Sequence, residues 1–172
     1  MLEAIIFVVF PFCMVYAAVS DVLSMKIGNI VPLLLVATFV LVAPLTGMSA
    51  SIIGMHLLAG FAVLCVTFAL FAFGGMGGGD AKLIAASVVW MGVGPALITY
   101  LMTITLIGGQ LTLAILMFRR SPWHHLAHHT RFLRNFASDV KGVPYGIALG
   151  AGGMVAFGQS PLVLWALASL AS

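Results

Sequence analysis

Asp21 and Asp80 are two of only four acidic residues in a chain that is 63% hydrophobic and 6% charged. Each stands at the end of an apolar run. A carboxylate at the edge of a membrane is costly, so such residues mark a partner or a task. Asp80 also closes the stretch Gly74-Gly75-Met76-Gly77-Gly78-Gly79-Asp80, a glycine-rich hinge that delivers one acid. Glycine-rich backbone at membrane depth is tolerated where it is buried in protein or lines a wet cavity. It suits either a loop that a substrate backbone can approach or a plain turn between tightly packed helices. A second acid on the same membrane face favours the first. Two carboxylates suffice to activate a water molecule, one as base and one as acid, which is the equipment of an intramembrane aspartyl protease.

The elements that must position these acids are helices. A mean hydropathy of +1.23 lies far outside the range of soluble domains. The chain reads as all-α, a polytopic membrane protein with about six transmembrane helices forming a single domain over 1–172. Apolar runs place the spans near 4–20, 30–47, 51–73, 81–93, 95–118 and 145–170. Breakers separate them: Gly28-Asn29 with Pro32, Pro44 with Gly47, the glycine run, Gly92-Val93-Gly94-Pro95, and Gly142 with Pro144. The fourth is short, since 13 residues rise only about 20 Å. Ser160-Pro161 is expected to kink or break the sixth. The first segment lacks a basic n-region, so residues 4–20 read as a retained helix rather than a signal peptide.

Charge orients the bundle. All seven Lys and Arg (Lys26, Lys82, Arg119, Arg120, Arg131, Arg134 and Lys141) lie in or beside the loops 21–29, 74–80 and 119–143. The loops around 44–50 and 92–95 carry no charge. The positive-inside rule puts the three charged loops in the cytoplasm and both termini outside. Asp21, ending the first helix, and Asp80, starting the fourth, then share the cytoplasmic edge. By helix ends alone, a shared proton belongs on Asp21, at a partially negative C-terminus, and Asp80 is the base.

Asn29 is expected to cap the second helix. Lys82, two residues past Asp80, either steers the acid or a substrate carbonyl or snorkels to the interface. Residues 119–143 read as an amphipathic cytoplasmic helix on the inner leaflet, facing membrane lipid. Within it, His124/His128 and His125/His129 have i,i+4 spacing but no third ligand type nearby, so no metal site is assigned. A pH-dependent attraction to anionic lipid or substrate fits these histidines better. His56 reads as an interhelical hydrogen-bonding residue. Cys13 and Cys65 fall in apolar runs without any CxxC, which excludes a zinc ribbon. A formal charge of +3 is too small for nucleic-acid binding.

The stretch Gly77-Gly78-Gly79-Asp80-Ala81-Lys82-Leu83 resembles the GxGDxKL signature of type IV prepilin peptidases. Asp21 with Ile27-Gly28-Asn29 resembles that family's first acid and its downstream Ile-Pro-Asn, Gly28 replacing the proline. Val143-Pro144-Tyr145-Gly146 resembles its motif at the start of the last helix. The resemblance implies a membrane aspartyl endopeptidase of the bacterial inner membrane that cuts prepilin leader peptides at the cytoplasmic face. It implies Asp21 and Asp80 as catalytic pair, no cofactor and no metal. Gly77, Gly79, Lys82, Asn29, Pro144 and Tyr145 become substrate-binding or loop-supporting positions. The short form, without the paired CxxC motifs of methylating members, is similar to the peptidases of Tad/Flp-type pili. The partner implied is a prepilin, through its leader peptide and hydrophobic N-terminus.

Two other functions compete. A small ion- or proton-coupled transporter also uses membrane acids, but near the midplane and often in repeated halves. A non-catalytic pilus or secretion assembly subunit would use a small-residue face such as Gly146, Gly150 and Gly153, and leaves the acid pair without a purpose.

Overall fold

In a lipid-like interior every backbone N–H and C=O must find its partner within the segment, so apolar runs become helices. A computed structural model describes residues 1–120 and 143–171, and in these the chain is all-helical. The helices are α1 (Leu2–Ser24), α2 (Ile30–Val42) continued by a 3₁₀ turn (Ala43–Thr46), α3 (Ala50–Ala72), α4 (Gly78–Met91), α5 (Pro95–Arg120), α6 (Gly146–Phe157) and α7 (Pro161–Ala171). The amphipathic helix expected at 119–143, with its four histidines, lies outside the described residues from 121 to 142.

Three of these helices, α1, α3 and α5, are long and apolar enough to cross a membrane. The pair α6–α7, bent by 42° at the expected Ser160-Pro161 break, makes a fourth if it is one span. The apolar stretch Ile30–Thr46 and the 14-residue α4 are shorter. The six expected crossings thus correspond to six helical rods among the described residues, two of them short and one broken. The chain is a polytopic membrane protein.

α4 is the central rod. It packs on α3, α2 and α6, and every residue from 83 to 91 is buried. Without a hydrophobic drive between helices in lipid, contact depends on close packing and on polar bonds across helices. At the end of the bundle away from the acids, Phe10 stacks on Phe157 at 4.9 Å between ring centres, and Trp90 leans on Phe10 at 5.2 Å. The Trp90 indole N–H donates to the Leu35 carbonyl at 2.9 Å. His56 lies buried on α3, its Nδ1 2.8 Å from the Val89 carbonyl and its ring stacked on Phe39. It is the interhelical hydrogen-bonding residue its position implied.

The small-residue face of α6 turns inward. A Cβ at Gly150 would stand 3.0 Å from the Met14 carbonyl and 3.1 Å from Ala18 Cβ, and one at Gly153 2.7 Å from Met14 Sδ. That face is used within the chain, against α1.

Candidate active site

Asp21 sits in the last turn of α1, one turn inside the helix rather than after it, and is 6% exposed. The helix ends three residues on, at Ser24, and Met25 after it takes the left-handed conformation (φ 55°, ψ 33°), its N–H returning to the Asp21 carbonyl at 2.7 Å. Such a conformation is unusual for a residue with a Cβ. The Ser20 hydroxyl donates to the Lys26 carbonyl at 2.9 Å and closes the turn, while the Ser24 hydroxyl donates back to the Ser20 carbonyl at 2.7 Å.

The Asp21 carboxylate meets the start of α6. The backbone N–H of Gly146, first residue of that helix, donates to Asp21 Oδ2 at 2.7 Å. The first N–H groups of a helix have no partner inside it, so an acid from another helix can take one. A Cβ at residue 146 would lie 2.6 Å from Asp21 Cβ, a separation real atoms do not adopt. Glycine there lets the two helices meet. Gly146 was quoted from the sequence as part of a motif and of a packing face, not as a holder of the acid.

Asp80 is the third residue of α4, partly buried. Its side chain folds back over the helix N-cap, Gly77, from whose backbone it accepts a hydrogen bond. A Cβ at Gly77 would stand 2.8 Å from Asp80 Oδ2. The argument from helix ends changes accordingly. It counted only the helix each acid rides on, whereas Asp21 also faces the N-terminus of α6. Both acids therefore lie against a helix N-terminus, and helix ends no longer distinguish acid from base.

The glycine run divides between two jobs. Gly74 (φ +75°) and Gly75 cap α3, their N–H groups reaching the Phe71 and Leu70 carbonyls at 2.9 and 2.8 Å. Gly78 and Gly79 already belong to the first turn of α4. At Gly79 the backbone of α4 comes against the turn after α1, since a Cβ there would be 3.1 Å from Ile27 Cβ and 3.2 Å from the Ile27 carbonyl. Beside this contact, Lys82 Nζ donates to Asn29 Oδ1 at 2.9 Å. Asn29 occupies the N-cap position of α2, but its side chain makes no capping bond. The capping role expected for it is replaced by the link to Lys82, which offers a charged donor.

Pro144 is buried, and Tyr145, the N-cap of α6, donates its hydroxyl to the Ile104 carbonyl of α5 at 3.1 Å. On the other side of α4, Thr67 of α3 donates to the Ala81 carbonyl at 3.3 Å.

Asp21 and Asp80 line one cavity of about 880 Å³, together with Met25, Thr67, Gly77 and Tyr145. Its side walls are α3, through Val63, Val66 and Leu70, and α5, through Leu101, Ile104 and Thr105. One end of it is the glycine turn at 74–77. The site is thus an apolar cleft with two carboxylates at one end, able to hold an extended polar backbone against the acids and an apolar chain between the helices. Of the residues singled out from the sequence, Asp21, Asp80, Gly77 and Tyr145 reach the cavity, while Lys82 and Asn29 pair outside it and Gly79 and Pro144 pack behind it. Met25 and Thr67 line it without any sequence signal that marked them. Among the described residues no three His, Cys, Asp or Glu side chains group as metal ligands do.

The family model of the type IV leader peptidase family matches residues 8–113. That stretch contains Asp21, Asn29, Gly77, Gly79, Asp80 and Lys82, and stops short of Pro144 and Tyr145. No curated protein and no solved structure matches the chain. With more than half its length matched, and with helices built to cross a bilayer, the chain belongs to the type IV leader peptidase family and is a membrane-embedded peptidase, a hydrolase.

Proposed function

We propose that the protein is a prepilin peptidase of the short, Tad/Flp-like kind. It cuts the leader from a prepilin at the cytoplasmic face of the bacterial inner membrane, with Asp21 and Asp80 as the catalytic pair. The observation that carries the reading is that the two acids, 59 residues apart in sequence, line the same cleft. In the reaction one carboxylate, ionised, takes a proton from a water molecule while the other, protonated, polarises the scissile carbonyl. The tetrahedral intermediate collapses when the leaving amine receives that proton, and neither acid becomes a nucleophile.

The surroundings suit such a substrate. The walls of the cleft are apolar side chains of α3 and α5, which match the hydrophobic N-terminus of a pilin. The acid end of the bundle is also the end that carries Lys26, Lys82, Arg119 and Arg120. The positive-inside rule turns that end to the cytoplasm, where a leader peptide waits. The small-residue face that an assembly subunit would need free is taken up by α1.

The test is co-expression with a candidate prepilin, followed by electrophoresis and mass measurement of the product. A single cut at the cytoplasmic boundary of the pilin's apolar segment is expected. Candidate prepilins left uncut beside well-inserted protein refute the assignment.

A further inference from the structure

A catalytic carboxylate must be held as well as delivered. Asp21 rides on the end of α1, yet its oxygen is held by a backbone N–H from α6. What fixes Asp21 is therefore whatever fixes the first turn of α6. Tyr145 immediately precedes Gly146, and its hydroxyl crosses to α5, donating to the Ile104 carbonyl at 3.1 Å. α5 is cut away to receive it. A Cβ at the buried Gly108, one turn beyond Ile104, would fall on the Tyr145 hydroxyl, Cζ and Cε2. One turn and a half into α6, Gly152 abuts the same stretch, where its Cβ would meet Ile104 Cγ2 and stand 3.2 Å from the Ile104 backbone nitrogen.

We propose that Tyr145 is a positioning residue for Asp21: seated over Gly108 and bonded to Ile104, it locks the N-terminus of α6 so that the Gly146 N–H holds the Asp21 carboxylate toward Asp80. This rests on the aspartyl-peptidase reading. It assigns the tyrosine hydroxyl a task away from the substrate, although part of the ring lines the cleft. Gly108 becomes part of the apparatus without touching either acid.

Two readouts separate this inference from the reading beneath it. The first needs no activity: amide exchange at Gly146 in the full-length protein, in detergent or nanodiscs. Tyr145→Phe removes one hydroxyl and keeps the ring, and exchange at Gly146 should accelerate at least severalfold while α1 and α4 keep their protection. The second is steady-state cleavage of a purified prepilin. A single neutral hydrogen bond is worth about a factor of ten at most, so Tyr145→Phe should lower kcat by up to about tenfold and leave KM within about twofold. Gly108→Ala, which unseats the ring, should lower kcat at least as far. The double variant should be no worse than Gly108→Ala, because both act through one contact. A raised KM with unchanged kcat would make Tyr145 a substrate contact and overturn the proposal. So would unchanged exchange at Gly146, or losses that simply multiply. If the wild-type protein cuts no prepilin, the peptidase reading falls, and the exchange arm still decides whether Tyr145 locks α6.

Discussion

Asp21 and Asp80 reach one cleft from helices far apart in sequence, and each accepts a backbone N–H at the start of a helix. Replacing either by Asn tests what the ionisable group does, because the amide oxygen still accepts from Gly146 or Gly77. Positioned acid–base groups contribute about 10²–10⁴-fold each. Asp21→Asn and Asp80→Asn should therefore each lower cleavage by at least about a hundredfold, at normal membrane insertion. A pair that shares one proton also predicts a bell in pH. At low pH both acids are protonated and no base remains. At high pH both are ionised and no acid remains to polarise the carbonyl. A plateau extending to high pH, read from initial rates, counts against the shared proton. The acids themselves were legible in the sequence, since carboxylates at the rims of apolar runs are expensive and rare. What holds Asp21 in place was not. A hydrogen bond from residue 146 to residue 21 is tertiary, its donor is a backbone group, and a backbone N–H leaves no mark on residue type.

At the scale of elements, apolar runs and their breakers marked the rods well, because lipid admits little but helix. The break at Ser160-Pro161 is where proline puts it. Boundaries were less legible. α1 continues past Ser20 to Ser24, so that Asp21 lies inside its last turn, held there by burial against α6 rather than by local propensity. Asn29 stands at a cap position and bonds Lys82 instead, a partner 53 residues away. The face made by Gly146, Gly150 and Gly153 was visible as a packing surface, but the sequence could not say against what. Its partner α1 yields a prediction. In Gly150→Val the branched side chain meets the Met14 carbonyl and Ala18, and overpacking of this kind costs about 1–3 kcal/mol. The unfolding temperature in detergent should fall by several degrees, with a loss of activity from the displaced Gly146. An unchanged transition places α6 elsewhere.

For the whole molecule, four cationic residues of the described chain collect at the end of the bundle that carries the acids, while the opposite turns are uncharged. The topology can be tested in a background lacking Cys13 and Cys65. Ser49→Cys, exposed at the start of α3, should react with an impermeant thiol reagent in cells with a permeabilised outer membrane, and Ser24→Cys, exposed at the end of α1, should not. The reverse pattern puts the cleft on the face opposite a leader peptide. The central claim is hydrolysis by two aspartates that act together, and purified protein measures it most directly. Wild type, Asp21→Asn and Asp80→Asn are incubated with one prepilin in excess EDTA, and product is followed by mass. The account predicts a single cut by the wild type at an undiminished rate, and no detectable product from either variant. Normal cleavage by Asp80→Asn, or cleavage that chelation abolishes and zinc restores, would contradict it.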